Sequence, residues 1–249
     1  MFSTKGSLSH EFNENGHIFI KGLVDKQEIK HLEKEIELVL QDLSQKELSD
    51  SERDDFSKGF LEVTNLWTRS ETIRNFVHSP LLAEVAAKLL GVDGVRLHYD
   101  CILFKKPKSN STPWHQDQVA WPLDTDNTIT LWLPLNKISE KIGSLKFING
   151  SQKFGEISLR KAIREGLKEI NYGCLEIGDV TFHKGWTLHS ADSNTFHETR
   201  KAFAIVYYAD GARLTKPKQN IKQDFYKFFP GIEIGGYANS NLNPLLYKE

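Results

Sequence analysis

The sequence predicts a mainly β protein in which N-terminal helices buttress a β-sandwich or barrel, and three observations carry the prediction. Apolar residues recur at helical spacing between Asp25 and Leu90. After Gly91 the texture changes to short β-rich runs bounded by Gly, Asn, Asp or Pro. The length, 249 residues, suits one all-β barrel or sandwich with a sizeable core. We therefore expect a single domain over residues 1–249, with the helical buttress mainly at 25–91 and the β core mainly at 95–210.

Taken in order, Phe12 to Gly22 reads as a short strand, His17-Ile18-Phe19-Ile20, entered through a turn at Gly16. Asp25 is placed to cap a helix, with Glu28 three residues on to complete a capping box. Ile29, Leu32, Ile36, Val39, Leu40 and Leu43 then form its apolar stripe. Ser44 to Lys58 is polar and without period, the pattern of a surface loop. Ser79-Pro80 opens a second helix, because proline at the first helical position forfeits no hydrogen bond. Leu81 to Leu90 supply its apolar face and Gly91 stops it. Strands are expected at Val95 to Phe104, Thr128 to Leu135, Ser144 to Ile148, Cys174 to Ile177, Val180 to His183 and Lys201 to Tyr208. Ser158 to Leu167 is a helical insertion between strands. The aromatics Phe225, Tyr226, Phe228 and Phe229 are expected to pack over the core.

The charge balance narrows the partners. With 32 Lys+Arg against 33 Asp+Glu, the chain lacks the basic excess of a nucleic-acid or membrane-surface protein. No run approaches eighteen apolar residues, and Met1 to His10 is polar, so a cytoplasmic protein with a small-molecule substrate is expected. Cys101 and Cys174 are too few for a disulfide framework or a thiolate metal site and read as buried, inert thiols.

The chemistry concentrates in Trp114-His115-Gln116-Asp117. On an extended strand, positions i and i+2 share a face, so the His115 imidazole and the Asp117 carboxylate converge. A second imidazole from a neighbouring strand would complete two His and one carboxylate, which suits Fe(II) and leaves three coordination positions open. A 2-oxo acid can chelate through its keto oxygen and adjacent carboxylate, and its far carboxylate then needs a cation. Arginine meets that need through two parallel hydrogen bonds. If His189 ends one strand and Arg200 begins the next, both face one cavity.

These stretches, with Gly143 to Lys153, Gly178-Asp179-Val180, His189, Asn194 and Arg200, resemble the phytanoyl-CoA dioxygenase family of Fe(II)/2-oxoglutarate oxygenases from about Phe12 to Arg213. The resemblance implies a double-stranded β-helix (jelly-roll, cupin-like) core with Fe(II), 2-oxoglutarate and O2 as cofactor and co-substrates. It implies His115, Asp117 and His189 as metal ligands and catalytic centre, and Arg200 as the holder of the far carboxylate. Thr130, sharing a strand face with Trp132, Lys105 and Ser190 are further candidates for co-substrate contacts. A carboxylate at Asp117, where related halogenases carry a small residue, favours hydroxylation of a C–H bond over halide transfer.

For the substrate pocket the candidates are Trp114, Trp121, Trp132 and His98, with residues 121–127 as a lid. Phe182, Trp186 and His183 also fall near the ligands in sequence, but as core or surface residues. No dense Lys/Arg cluster announces a coenzyme-A phosphate, so a small or medium metabolite is expected. The competing reading is a non-catalytic or differently metallated cupin-like module. Arg200 discriminates, because a structural metal needs no buried arginine.

Overall fold

The computed structural model describes residues 5–46, 59–217 and 227–249. Most of the loop read at Ser44 to Lys58, and the aromatics Phe225 and Tyr226, lie outside these residues.

Two antiparallel sheets form the core. The larger holds β1 (His17–Ile20), β2 (Phe60–Thr64), β3 (Gly94–Lys105), β5 (Thr128–Pro134), β8 (Val180–Lys184), β10 (Arg200–Ala209) and β11 (Leu245–Lys248). Their order is β1-β8-β5-β10-β3-β11, with β2 also paired to β3. The smaller is β4-β9-β6-β7, from β4 (Thr112–His115), β6 (Leu145–Ile148), β7 (Glu169–Asn171) and β9 (His189–Ala191). This is the expected double-stranded β-helix. Strands β1, β2 and β11 reach the large sheet from outside residues 95–210.

Period two explains the two faces of the large sheet. On β5, Ile129, Leu131 and Leu133 join the core beneath the helices, while Thr130 and Trp132 face the space between the sheets. On β10, Phe203, Ile205 and Tyr207 go to the helices and Ala202, Ala204 and Val206 go inward. The helices are α1 (Lys5–Asn15), α2 (Lys26–Lys46), α3 (Glu71–Val77), α4 (Pro80–Leu90) and α5 (Leu159–Arg164). Asp25 caps α2, its Oδ1 accepting from the N–H of Gln27 at 2.8 Å and of Glu28 at 3.3 Å. Ile29, Leu32, Ile36 and Leu43 bury the predicted stripe. Pro80 opens α4, and Gly91 closes it in the left-handed region at φ 72°.

Several expectations change. Phe12 is fully buried but belongs to α1, not to a strand. Cys174 to Ile177 makes one bridge, Leu175 to Ile138, and no strand, and Cys174 is exposed. The short strands β2, β7 and β11 were not predicted, because runs of three to five residues carry little period of their own. A register shift opposite Val206/Tyr207 leaves His98 as the extra residue of β3.

Candidate metal centre

β4 and β9 lie side by side in the small sheet with His115 directly opposite His189. β4 ends at His115, and Asp117 opens a 3-10 turn, Asp117–Val119, so the two are not on one strand as expected. They still converge, because Gln116 between them is extended at φ −127°, ψ 122°. The Gln116 side chain holds that conformation. Its Nε2 donates to the carbonyls of Gly155 at 2.7 Å and Trp186 at 2.6 Å, and its Oε1 accepts from Ile157 N–H at 2.8 Å. Both N–H donors and one oxygen lone pair of the amide are thus spent on loops behind the site.

Ligating atoms of His115, Asp117 and His189 all lie within 4.8 Å of one another. His115 Nδ1 is 2.8 Å from Pro113 O, and His189 Nδ1 is 2.9 Å from Thr187 O. A carbonyl only accepts, so both Nδ1 atoms carry the proton and both Nε2 lone pairs are free. These point at Asp117 Oδ1, 3.5 Å from His115 Nε2 and 3.6 Å from His189 Nε2. Burial pushes the His189 imidazole down to about 3, keeping it neutral. Burial opposes the charge on Asp117, yet the imidazoles of His189, His115 and His183 hold its carboxyl well below the usual range. Burial also opposes a charge on His115, but the Asp117 carboxylate, to which the protonated ring would hydrogen-bond, lifts its pKa. Two neutral-capable imidazoles and an ionised carboxylate converging on one point are a donor set that fits Fe(II).

Arg200 sits behind this point at the start of β10. His189 begins β9 rather than ending a strand, and the two strands belong to opposite sheets. The ligand and the guanidinium therefore meet across the space between sheets, not along one sheet. Arg200 is buried, its Nη1 donating to Gly143 O at 3.0 Å and Nη2 to Leu103 O at 3.4 Å. Its charge lies 5.7 Å from the centre of the Trp132 ring. Among the described residues no carboxylate pairs with it, and its Nε is buried without a partner. A buried cation with a donor to spare fits an anionic ligand such as the far carboxylate of 2-oxoglutarate.

A cavity of about 200 Å³ joins Arg200 to His115, Asp117 and His189, with Thr130, Trp132 and Ser190 in its wall. Thr130 Oγ1 lies 3.2 Å from Asp117 Oδ2, so its hydroxyl donates to that carboxylate instead of being reserved for a co-substrate. Lys105 is absent from the wall. Its amine is buried and donates to the carbonyls of Asp192 at 2.9 Å and Ala191 at 3.4 Å. Burial, followed by the neighbouring Arg200 charge, brings Lys105 down to about 7. It ties the end of β9 to β3 in place of the expected co-substrate contact.

An open groove of about 590 Å³ adjoins the cavity through Tyr99, His115 and Asp117, and Trp114, Trp121, Ile157, Leu159 and Leu188 give it an apolar wall. His98 lies elsewhere, inside a cage of Tyr99, Trp121, Tyr208, Phe228 and Phe229 with ring centroids 4.7 to 5.9 Å away. The β3 bulge turns it there and away from the predicted pocket. Residues 121–127 are tied down: Asp124 N–H donates to Arg213 O at 3.0 Å, Gln118 Nε2 to Thr125 O at 3.0 Å and Trp186 Nε1 to Asp126 Oδ1 at 2.7 Å. His183, read as an extra histidine near the ligands with a core or surface role, is buried and meets the site directly: its Nε2 is 3.3 Å from Asp117 Oδ2.

An antiparallel double-stranded β-helix with this donor set between its sheets has the architecture of the non-haem Fe(II) oxygenases. Residues 12–202 match the family model described as phytanoyl-CoA dioxygenase. The chain belongs to that family and, with it, to the Fe(II)- and 2-oxoglutarate-dependent oxygenases, which consume O2. It is 30% identical over 205 residues to a probable alpha-ketoglutarate-dependent hypophosphite dioxygenase of Stutzerimonas stutzeri, covering 70% of each chain. Two solved structures share the fold. One is SnoN, the alpha-ketoglutarate-dependent epimerase of nogalamycin biosynthesis, with TM-score 0.81, 22% identity and 99% of each chain covered. The other is EctD from S. alaskensis, solved with 2-oxoglutarate and 5-hydroxyectoine, with TM-score 0.73, 19% identity, 87% of this chain and 79% of that one. Among the described residues no helix is long and apolar enough to cross a membrane.

Proposed function

We propose that this oxygenase hydroxylates an unactivated C–H bond of a small or medium organic metabolite, with His115, Asp117 and His189 holding Fe(II) and Arg200 holding the far carboxylate of 2-oxoglutarate. The observation that carries this reading is the convergence of two Nε2 lone pairs and Asp117 Oδ1 on a cavity that Arg200 also lines. When bound, Fe(II) with 2-oxoglutarate and O2 supplies the oxidising power for C–H cleavage, and CO2 and succinate leave. The chain's own residues orient and exclude. Pro113 and Thr187 carbonyls fix the two imidazole tautomers, and Trp132 lies against the Arg200 guanidinium. Leu103, Leu145, Ala204 and Val206 line the cavity and limit water.

The groove beside Asp117 supports an organic substrate, since its wall is largely aromatic and aliphatic. The carboxylate at Asp117 supports hydroxylation over halide transfer. A second reading, oxidation of a small phosphorus oxyanion, is favoured by the 30% identity to the hypophosphite enzyme. Against it, Arg200 is the only Lys or Arg among the described residues lining the cavity or the groove. Two free cysteines, one of them exposed, support a reducing compartment and so the cytoplasm.

The test is anaerobic addition of Fe(II) and then 2-oxoglutarate to metal-free protein. The weak visible charge-transfer band of a chelated 2-oxo acid is expected, followed on aeration by succinate formation that hypophosphite does not accelerate. No band in folded protein removes the oxygenase assignment of these residues. Hypophosphite-dependent succinate and phosphite formation selects the second reading.

A further inference from the structure

The two oxygens of Asp117 face different company. Oδ1 meets the Nε2 atoms of both candidate ligand imidazoles. Oδ2 is met by Thr130 Oγ1 at 3.2 Å and His183 Nε2 at 3.3 Å. Thr130 and His183 are directly opposite each other on β5 and β8. They form one cross-strand pair aimed at one oxygen. His183 is itself held: it is buried, its ring lies 4.4 Å from that of His189 and 5.5 Å from Phe147. A hydroxyl and an imidazole N–H both donate to a carboxylate, which only accepts, so both contacts place a donor on the same ionised oxygen.

The geometry points to Thr130 and His183 as positioning residues that restrict Asp117 to one-oxygen ligation, an inference that rests on the proposed metal role of Asp117. The coordination count gives it consequence. Two imidazoles and one carboxylate oxygen leave three of six positions, enough for a chelating 2-oxo acid and O2. A carboxylate that swung round to bind through both oxygens would leave only two, and the chelate would fill them. Two donors on Oδ2 oppose that swing. They also fix the rotation of the carboxylate about its Cβ–Cγ bond, so that Oδ1 stays aimed between the imidazoles.

The experiment is anaerobic Co(II) titration of the full chain without co-substrate, following affinity and the visible spectrum. Thr130→Val keeps shape and removes the donor, and Thr130→Ser keeps the donor. His183→Leu and His183→Gln repeat the contrast on the other side of the pair. The Val and Leu variants are expected to show a changed Co(II) spectrum, as the second carboxylate oxygen joins the metal, with the Co(II) affinity shifted about tenfold. The Ser and Gln variants are expected to return towards wild type. Thermal unfolding of each variant reports its folding, and Thr130→Val, the least disruptive, decides if His183→Leu is unfolded. A folded Thr130→Val protein with wild-type Co(II) affinity and spectrum overturns the inference. Turnover separates the two proposals. Wild type that binds Co(II) with the expected variant pattern, yet makes no succinate with Fe(II), fails the oxygenase assignment and leaves the positioning pair standing.

Discussion

His98 and His189 are buried to the same effect and used in opposite ways. Each imidazole is pushed down to about 3 by burial, so both are neutral near pH 7. Around His98 five aromatic rings close in, and neither nitrogen has a hydrogen-bond partner. Around His189 each nitrogen is spoken for: Nδ1 by Thr187 O, Nε2 by the space shared with Asp117 and His115. Depth and depressed basicity therefore do not mark a ligand. What sets the candidate ligand His189 apart is a second group that fixes the tautomer and a carboxylate on the other side. The cage around His98 is a packing solution, in which edge-on aromatic contacts offset part of the cost, of about 1–3 kcal/mol, of an unmade hydrogen bond.

The comparison breaks most cleanly by removing each ring in turn. His189→Ala is expected to abolish the Fe(II)/2-oxoglutarate charge-transfer band and succinate formation, whereas His98→Leu retains both. Normal succinate formation by the first variant would mean that the wrong imidazole had been assigned to the metal.

Arg200→Ala sharpens the same contrast from the co-substrate side. Metal retention is expected to persist, while the 2-oxoglutarate concentration needed for half-maximal band intensity rises roughly hundredfold, as for loss of one partner of a buried charge pair. An unchanged requirement would detach Arg200 from the co-substrate and favour the non-catalytic module.

The smallest expected effect lies in the His98 cage. A folded-state pKa depressed below the unfolded value near 6.5 means that the unfolded chain binds a proton the native one refuses. The stability due to neutral burial is fully present above pH 6.5 and is lost as pH falls towards 3. Between pH 6.5 and 5 this one group removes about 2 kcal/mol. His98→Leu should flatten that part of the pH profile of unfolding free energy. An equally steep profile in the variant would show that His98 is not buried neutral.

Much of the molecule was legible in the residues. The stripe Ile29, Leu32, Ile36, Leu43 and the Pro80 to Gly91 helix follow from spacing and end signals, because helix periodicity and caps are local. The long strands β3, β5 and β10 likewise announced themselves. Short strands such as β2 and β7 did not, since three to five residues are held by their neighbours and not by their own pattern.

For the site, sequence determined which residue types were available: the His115-x-Asp117 pair, His189, and Arg200 eleven positions later, in an order that resembled one oxygenase family. Tertiary structure decided what each does. Register put His115 opposite His189, and the pairing of two sheets brought Arg200 behind them. It turned Thr130 and His183 onto one carboxylate oxygen, gave Lys105 to backbone carbonyls, and a single bulge sent His98 into the aromatic cage. The physical reason is that side-chain chemistry travels with the residue, whereas a hydrogen bond belongs to a pair. Which pairs form across 13 or 66 positions of chain, as at Asp117, is settled by strand register, which sets Thr130 opposite His183, and by the stacking of the two sheets, which brings the turn at Asp117 to them.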